Sequence, residues 1–316
     1  MCLLLIGGGG FVGTNFLMRM NFNDLVIVVD PNDIKIVGNY IHYKQTIQEF
    51  IKQESFKKYD ITKIICLAAD SFVPTCGKDG FINNIEIAQS VIYLLRYYEN
   101  WKYRKLGRSN EFCPSIPCLC FITDEVFDCE NVFSYYGNHK KFNQSYYSMS
   151  KFISNELLKD YDVCLAYPPN LFGNYQKHDC IIKKILNNKL EYIEDTGEQK
   201  RYFMKIDFVI DACFSWLESP IDTYEFNTML FNNPWFKISI NDLVEKVFGL
   251  TVPHKITRRD KQDKEYFIDY ENINTELTDF KEIYDYINYK KKERPKLRRT
   301  PSLNNQVFSN SSAESD

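Results

Sequence analysis

Four consecutive glycines, Gly7–Gly10, separate a short apolar run from a segment with helical spacing, and Gly13 follows three residues on. Residues 2–6 read as a buried strand and Phe11 to Met20 as a helix. Gly7, Gly10 and Gly13 therefore make a G-x-x-G-x-x-G turn from strand into helix. A chain that turns this tightly has no room for a Cβ. The helix that follows offers free N–H groups and a positive dipole end, which suit a phosphate. Glycines alone would also serve a merely flexible turn. Here a second apolar run, Leu25 to Val29, closes on Asp30-Pro31, and Asp30 lies 17 residues beyond Gly13. A carboxylate at that distance can accept hydrogen bonds from ribose hydroxyls and repels a 2′-phosphate. No Lys or Arg follows Asp30 until Lys35. The pattern predicts a dinucleotide-binding domain that takes NAD rather than NADP.

The rest of the chain extends this frame. Ile64 to Ala69 and Leu119 to Thr123 read as further apolar strands. Residues 46–57, 81–98 and 147–160 read as helices, the middle one with Ile85, Ala88, Val91, Ile92 and Leu95 on one face. Unbroken apolar strands alternating with helices predict an α/β fold of Rossmann type, a doubly wound parallel sheet covered on both faces. The expected organisation is a dinucleotide-binding domain over 1–165, a smaller mixed C-terminal substrate lobe over 166–291 with some elements returning to the main sheet, and a disordered tail over 292–316. The tail expectation rests on composition: residues 290–299 carry seven Lys/Arg and one Glu, and the remainder is Ser/Asn-rich. Arg298-Arg299-Thr300-Pro301-Ser302 within it reads as a solubilising stretch or a phosphorylation site.

Composition narrows the partners. The net charge of -3 gives no reason to expect nucleic acid. No apolar stretch reaches the ~18 residues a membrane span requires, so no membrane association is expected. The apolar opening runs straight into glycines, which predicts no signal peptide. The ten cysteines form no C-x-x-C pair and the four histidines supply no zinc spacing, so no metal is expected. Free thiols in a reducing, cytoplasmic compartment are the simplest reading.

Tyr147 and Lys151 are four residues apart in a helix-like run and so share a face. A nearby ammonium is expected to favour the tyrosinate. Such a Tyr can remove or return the proton of an alcohol whose carbon exchanges a hydride with nicotinamide. An ordinary exposed Tyr/Lys pair is the other reading, and Y-x-x-x-K arises easily among 22 tyrosines. Its place in the helix after strand 119–123 favours the chemical reading.

From residue 1 to about 280 the sequence resembles an extended short-chain dehydrogenase/reductase, and most closely the nucleotide-sugar 4,6-dehydratases of the dTDP-glucose or UDP-glucose type. The glycine motif Gly7 to Gly13, with Phe11 and Val12, resembles the family's opening. Leu67-Ala68-Ala69-Asp70-Ser71 resembles the strand-four segment that passes the cofactor, and Asn84 its structural Asn. Thr123-Asp124-Glu125-Val126-Phe127 resembles the Thr-Asp-Glu-Val-Tyr segment that marks the dehydratases. Tyr147 to Lys151 resembles the catalytic pair with its Ser-rich spacer, and Asn170-Leu171-Phe172-Gly173 the Asn-x-Tyr-Gly segment. Gly197 to Asp207, with Arg201, and a later stretch with Arg259 resemble the diphosphate-side segments.

The resemblance implies that Gly7, Gly10, Phe11, Val12, Gly13, Asp30, Leu67, Ala68, Ala69, Tyr147 and Lys151 hold NAD. It implies that Ser71, Asn170, Arg201 and Arg259 hold a nucleotide sugar, and that the protein is a homodimer. Thr123, Asp124, Glu125, Tyr147 and Lys151 are then catalytic, with Asp124 as acid and Glu125 as base. Loss of water across C5–C6 needs two carboxyl groups in different protonation states. Adjacent residues on a strand point to opposite faces, so both reach one pocket only if the strand ends there. An acidic turn opening a short helix is the alternative reading of Thr-Asp-Glu. Three functions stay open: the dehydratase, a sugar epimerase or other dehydrogenase of the same fold, and a non-enzymatic NAD-binding protein.

The sequence also departs from the family. Asp70-Ser71-Phe72-Val73-Pro74 stands where the family has Glu-Ser-His-Val-Asp, and Asp179-Cys180 where it has Glu-Lys. The usual Asp-Ile adenine contact has no clear counterpart near Lys44-Gln45-Thr46. These changes imply an altered sugar pocket.

Overall fold

The computed structural model describes residues 1–21, 23–71, 76–106, 116–126, 145–176, 180–194, 196–219, 228–229 and 236–255. Arg259, Phe72 to Pro74, Phe127, Asp179 and the tail expected over 292–316 lie outside them.

The centre is a seven-stranded sheet in the order β10-β6-β5-β4-β1-β2-β3. Its strands are β1 (Cys2–Ile6), β2 (Leu25–Val29), β3 (Tyr40–Tyr43), β4 (Lys63–Cys66), β5 (Cys118–Phe121), β6 (Cys164–Ala166) and β10 (Thr228–Met229). Every pairing within it is parallel. The inner strands β1, β2 and β5 are apolar on both sides because both sides are covered. Leu4, Ile6, Ile27, Val29, Ile64 and Cys120 pack under α2 (Ile47–Lys52), α3 (Lys78–Leu106) and α4 (Tyr146–Lys159). Their neighbours Leu3, Leu5, Val26, Val28, Ile65 and Leu119 pack under α1 (Phe11–Arg19) and α6 (Ile206–Glu218). Strand alternation thus fills two cores at once. Each fully buried Leu or Ile contributes roughly 1.5–3 kcal/mol.

At the far end of the sheet from the cleft, Lys63 is buried and donates to the Leu217 carbonyl in the last turn of α6. A cation there complements the helix C-terminus.

A smaller core gathers Phe172, Ile182, Ile185, Phe203, Ile238, Leu243 and Val244. It is built on α5 (Ile181–Leu186), a helical segment from Ile240 to Val247, and a three-stranded sheet β11-β9-β7. Those strands are β7 (Asn170–Phe172), β9 (Lys200–Lys205) and β11 (Phe236–Ser239). β8 (Ile193–Glu194) pairs with β12 (His254–Lys255).

Several boundaries differ from the sequence expectation. β5 ends at Phe121, two residues before the expected Thr123; beyond it the Ile122 N–H still donates to the Ala166 carbonyl at 2.8 Å, and the chain turns at Asp124 and Glu125. The helix expected over 46–57 stops at Lys52, and Glu54 takes a left-handed φ of 55° before a separate turn, Ser55–Lys58. The helix expected over 81–98 runs from Lys78 to Leu106. Strand β3 was not expected: Tyr-Ile-His-Tyr sits on the sheet edge, largely half-buried, and so lacks an apolar run.

Candidate active site

The C-terminal ends of β1, β2, β4, β5 and β6 open on one cleft of about 860 Å³. In a doubly wound sheet the chain departs in opposite directions from neighbouring strands here, which leaves a crevice. β1 lies between β2 and β4, so the turn after β1 sits at that crevice.

The glycine turn fits a diphosphate. Gly7 has φ +91°, and a Cβ on it would lie 2.5 Å from the Ala68 nitrogen. A Cβ on Gly13 would lie 2.4 Å from the Gly7 carbonyl oxygen and 2.6 Å from Gly8 Cα. No side chain caps the N-terminus of α1, and Phe11, Val12 and Gly13 in its first turn line the cleft. Uncapped N–H groups at a helix start favour an anion.

Asp30 is buried at the end of β2 and does two jobs. Its Oδ2 accepts from the Gly9 N–H at 2.8 Å, and its Oδ1 accepts from the Asn32 N–H at 2.8 Å. The carboxylate therefore latches the glycine turn as well as lining the cleft. Leu67, Ala68, Ala69 and Ser71 form the floor. Asn84, buried in α3, ties this floor to α4, the helix of Tyr147 and Lys151. It accepts from the Asp70 N–H at 2.7 Å and donates to Asp70 O and to Ser150 Oγ at 2.9 Å.

At the other end of the cleft stand Thr123, Asp124, Glu125, Tyr147 and Lys151. Because the chain turns at Asp124 and Glu125, the strand alternation that would separate them no longer applies, and both line the cleft. The acidic turn is present too: the Glu125 N–H donates to Thr123 Oγ1 at 3.4 Å and the Val126 N–H to the Thr123 carbonyl at 3.4 Å. Turn and cleft lining are thus two aspects of one segment.

The two carboxyl groups have unlike surroundings. Burial first, and the adjacent Glu125 second, push Asp124 up to about 8, against smaller opposing effects of Thr123 and Arg201. Glu125 instead accepts a hydrogen bond from Ser148 Oγ. Ser148 is in turn held by Ser145, the N-cap of α4, whose Oγ accepts from the Ser148 N–H at 3.0 Å.

The sign of the Asp124 shift makes a stability prediction. Between the ordinary value near 4 and about 8, the folded chain keeps a proton that the unfolded chain releases. Stability contributed by this proton is therefore present at low pH and lost as pH rises through that window. Asp124→Asn carries no such loss. Its melting temperature is expected to match wild type near pH ~4.5 and to exceed it by about 2 °C or more near pH ~8. A pH-independent difference between the two would contradict a protonated Asp124.

Tyr147 and Lys151 share a face of α4, are both buried, and line the cleft. Their electrostatics differ from the sequence expectation. Burial, then Glu125 and Asp124, push the Tyr147 phenol well above its ordinary value, opposed only by a hydrogen bond with Thr123. Lys151 does not offset this. Its Nζ donates to the Phe121 carbonyl at 2.8 Å, and burial lowers its own affinity for a proton. The spacing showed that the two groups share a face but not how dry the pocket is.

Of the expected substrate residues, Ser71 and Asn170 line the cleft, and Asn170 Nδ2 donates to the Tyr202 carbonyl at 3.2 Å. Arg201, on β9, does not line it but lies near enough for its charge to act on Asp124. Residues that sequence reasoning missed are Thr46, Ile47, Gln48, Asn83, Ile87, Pro168, Gln176 and Phe203. A capping box, Thr46 with Glu49, marks the first of these in the sequence as a helix start.

Known proteins resemble this chain in sequence and in fold. The dTDP-D-glucose 4,6-dehydratase of Dictyostelium discoideum is 25% identical over 289 residues, which are 79% of this chain and 62% of that protein. The chain thus spans less than two thirds of that relative's length. A dTDP-glucose 4,6-dehydratase from Bacillus anthracis, solved in complex with NAD, superposes with a TM-score of 0.66 at 19% identity, covering 93% of this chain and 97% of that one. A UDP-glucose 4-epimerase from Thermotoga maritima, solved with UDP-glucose, gives 0.60 at 18% identity, over 83% and 87%. At these identities the two structures speak to the fold, a Rossmann-type doubly wound sheet. A family model matches residues 3–227, from the first strand through the cleft to α6, and the chain belongs to the NAD dependent epimerase/dehydratase family.

Proposed function

We propose that this chain is an NAD-dependent nucleotide-sugar 4,6-dehydratase acting on dTDP- or UDP-glucose. The observation that carries the reading is the pair Asp124 and Glu125, in one cleft with Tyr147 and in unlike surroundings. An epimerase needs only the redox pair; removal of water needs an acid and a base besides.

NAD+, held by the glycine turn and the Asp30 end of the cleft, would supply a hydride acceptor and later the hydride donor, and its positive charge would lower the raised Tyr147 phenol. In the proposed cycle Tyr147 takes the proton of the sugar O4 while Thr123 hydrogen-bonds that oxygen. The C4 carbon becomes a ketone, which acidifies the C5–H bond. Glu125 takes the C5 proton, and Asp124, protonated at neutral pH by its burial, gives its proton to the departing C6 hydroxyl. Glu125 returns its proton to C5 as C6 is reduced. The products are one water and a 4-keto-6-deoxy sugar, with the cofactor in its starting oxidation state; before the next turnover Tyr147 gives its proton up to solvent and Asp124 takes one back. Ser71, Asn170, Arg201 and Arg259 are the proposed sugar and diphosphate contacts.

The test is incubation of the protein with NAD and each nucleotide sugar, followed by mass spectrometry. Loss of one water is the expected result. An isomer of unchanged mass would point to an epimerase, and unchanged substrate to a binding protein.

A further inference from the structure

The cleft's end beyond Asp30 is lined by Thr46, Ile47 and Gln48 from α2 and by Asn83 and Ile87 from α3. Two isoleucines and a set of polar groups make a slot suited to a flat heterocycle. Most of those polar groups are already engaged. Asp30 holds Gly9 and Asn32. Thr46 and Glu49 satisfy each other, with the Thr46 N–H donating to Glu49 Oε2 at 2.8 Å and the Glu49 N–H to Thr46 Oγ1 at 3.2 Å.

Gln48 differs from them. Its Oε1 is buried with no hydrogen-bond partner among the described residues. Its Nε2 makes only long contacts, 3.4 Å to Asn83 Oδ1 and 3.5 Å to Glu86 Oε2. A buried acceptor without a donor is destabilising unless a ligand supplies one. A carboxamide pairs bidentately with adenine, its oxygen accepting from the exocyclic N6 amine and its nitrogen donating to N7.

We infer that Gln48 reads the adenine ring of the cofactor, a role Thr46 cannot take because its side chain is committed to Glu49. This assignment rests on NAD being the cofactor. It makes Gln48 a specificity-determining residue for the base, independent of the chemistry at Tyr147.

The experiment measures binding, not turnover. NAD and its hypoxanthine analogue, in which an oxygen replaces the N6 amine, are titrated against the protein by calorimetry. Wild type is expected to bind NAD about tenfold more tightly, since one hydrogen bond is lost and an acceptor then faces an acceptor. Gln48→Leu should weaken NAD and leave the analogue nearly unchanged, so that the preference vanishes. Gln48→Glu keeps the acceptor for N6 and should keep most of the preference. Equal affinities for the two dinucleotides in wild type, or an undiminished preference in Gln48→Leu, would overturn the assignment while leaving the cofactor reading intact. Absence of NAD binding by wild type would overturn the cofactor reading and this assignment with it.

Discussion

Glu125→Gln is expected to stop water loss while NAD still binds. Glutamine has nearly the shape of glutamate, and its Oε1 can still accept the Ser148 hydroxyl, so the turn after β5 is preserved. What disappears is the group proposed to take the C5 proton. Loss of a positioned general base lowers the rate by about 10²–10⁴. Two measurements isolate that step. Mass spectrometry follows the loss of water, and exchange in deuterated solvent follows the label entering at C5. Both should fall together in the variant, with NAD affinity unchanged in a binding titration. Normal turnover by Glu125→Gln would remove Glu125 from the mechanism.

Gly13→Ala acts at the opposite end of the cleft and on the fold itself. The new methyl would meet the Gly7 carbonyl at 2.4 Å, Gly8 Cα at 2.6 Å and the Gly8 carbonyl at 2.7 Å. All three are backbone atoms, so no side chain can turn aside. Overpacking of this kind costs about 1–3 kcal/mol or more, enough to lower the melting temperature by several degrees. The turn must open, which displaces the N–H groups at the start of α1, so NAD affinity falls as well. Gly10→Ala is the contrast, because its nearest neighbour is the Gly7 carbonyl at 3.6 Å. That variant should keep the wild-type melting temperature, and any loss of NAD affinity would come from the ligand side alone. Equal melting temperatures for the Gly13 and Gly10 variants would show that the turn is not as closely packed as described.

The same steric demand explains what the sequence revealed. A turn that excludes Cβ atoms leaves glycines, a buried parallel strand leaves an apolar run, and a helix face leaves i, i+4 spacing. The glycine turn, Asp30, strands β1 and β2 and the Tyr147/Lys151 face were legible for those reasons. β3 was not, because a half-buried edge strand needs no apolar run. The end of the cleft lined by Thr46 and Gln48 was not, because the Asp-Ile pair sought near Lys44-Gln45-Thr46 is absent. The upward shift of Tyr147 was not legible either. It depends on how completely α3, α4 and the turn after β5 shut out water, a property of the assembled fold and of no single segment.

Asn84 has a further consequence. By joining the Asp70 backbone to Ser150 on α4, it makes the cofactor floor and the helix of Tyr147 a single rigid member. Cys180, which departs from the family pattern, lines the cleft outside that member. The two regions are therefore separable in evolution: under the proposed function, substitutions around Cys180 would retune which sugar is accepted without disturbing the joint between the floor and the Tyr147 helix. A lineage can change its substrate while inheriting its redox geometry intact.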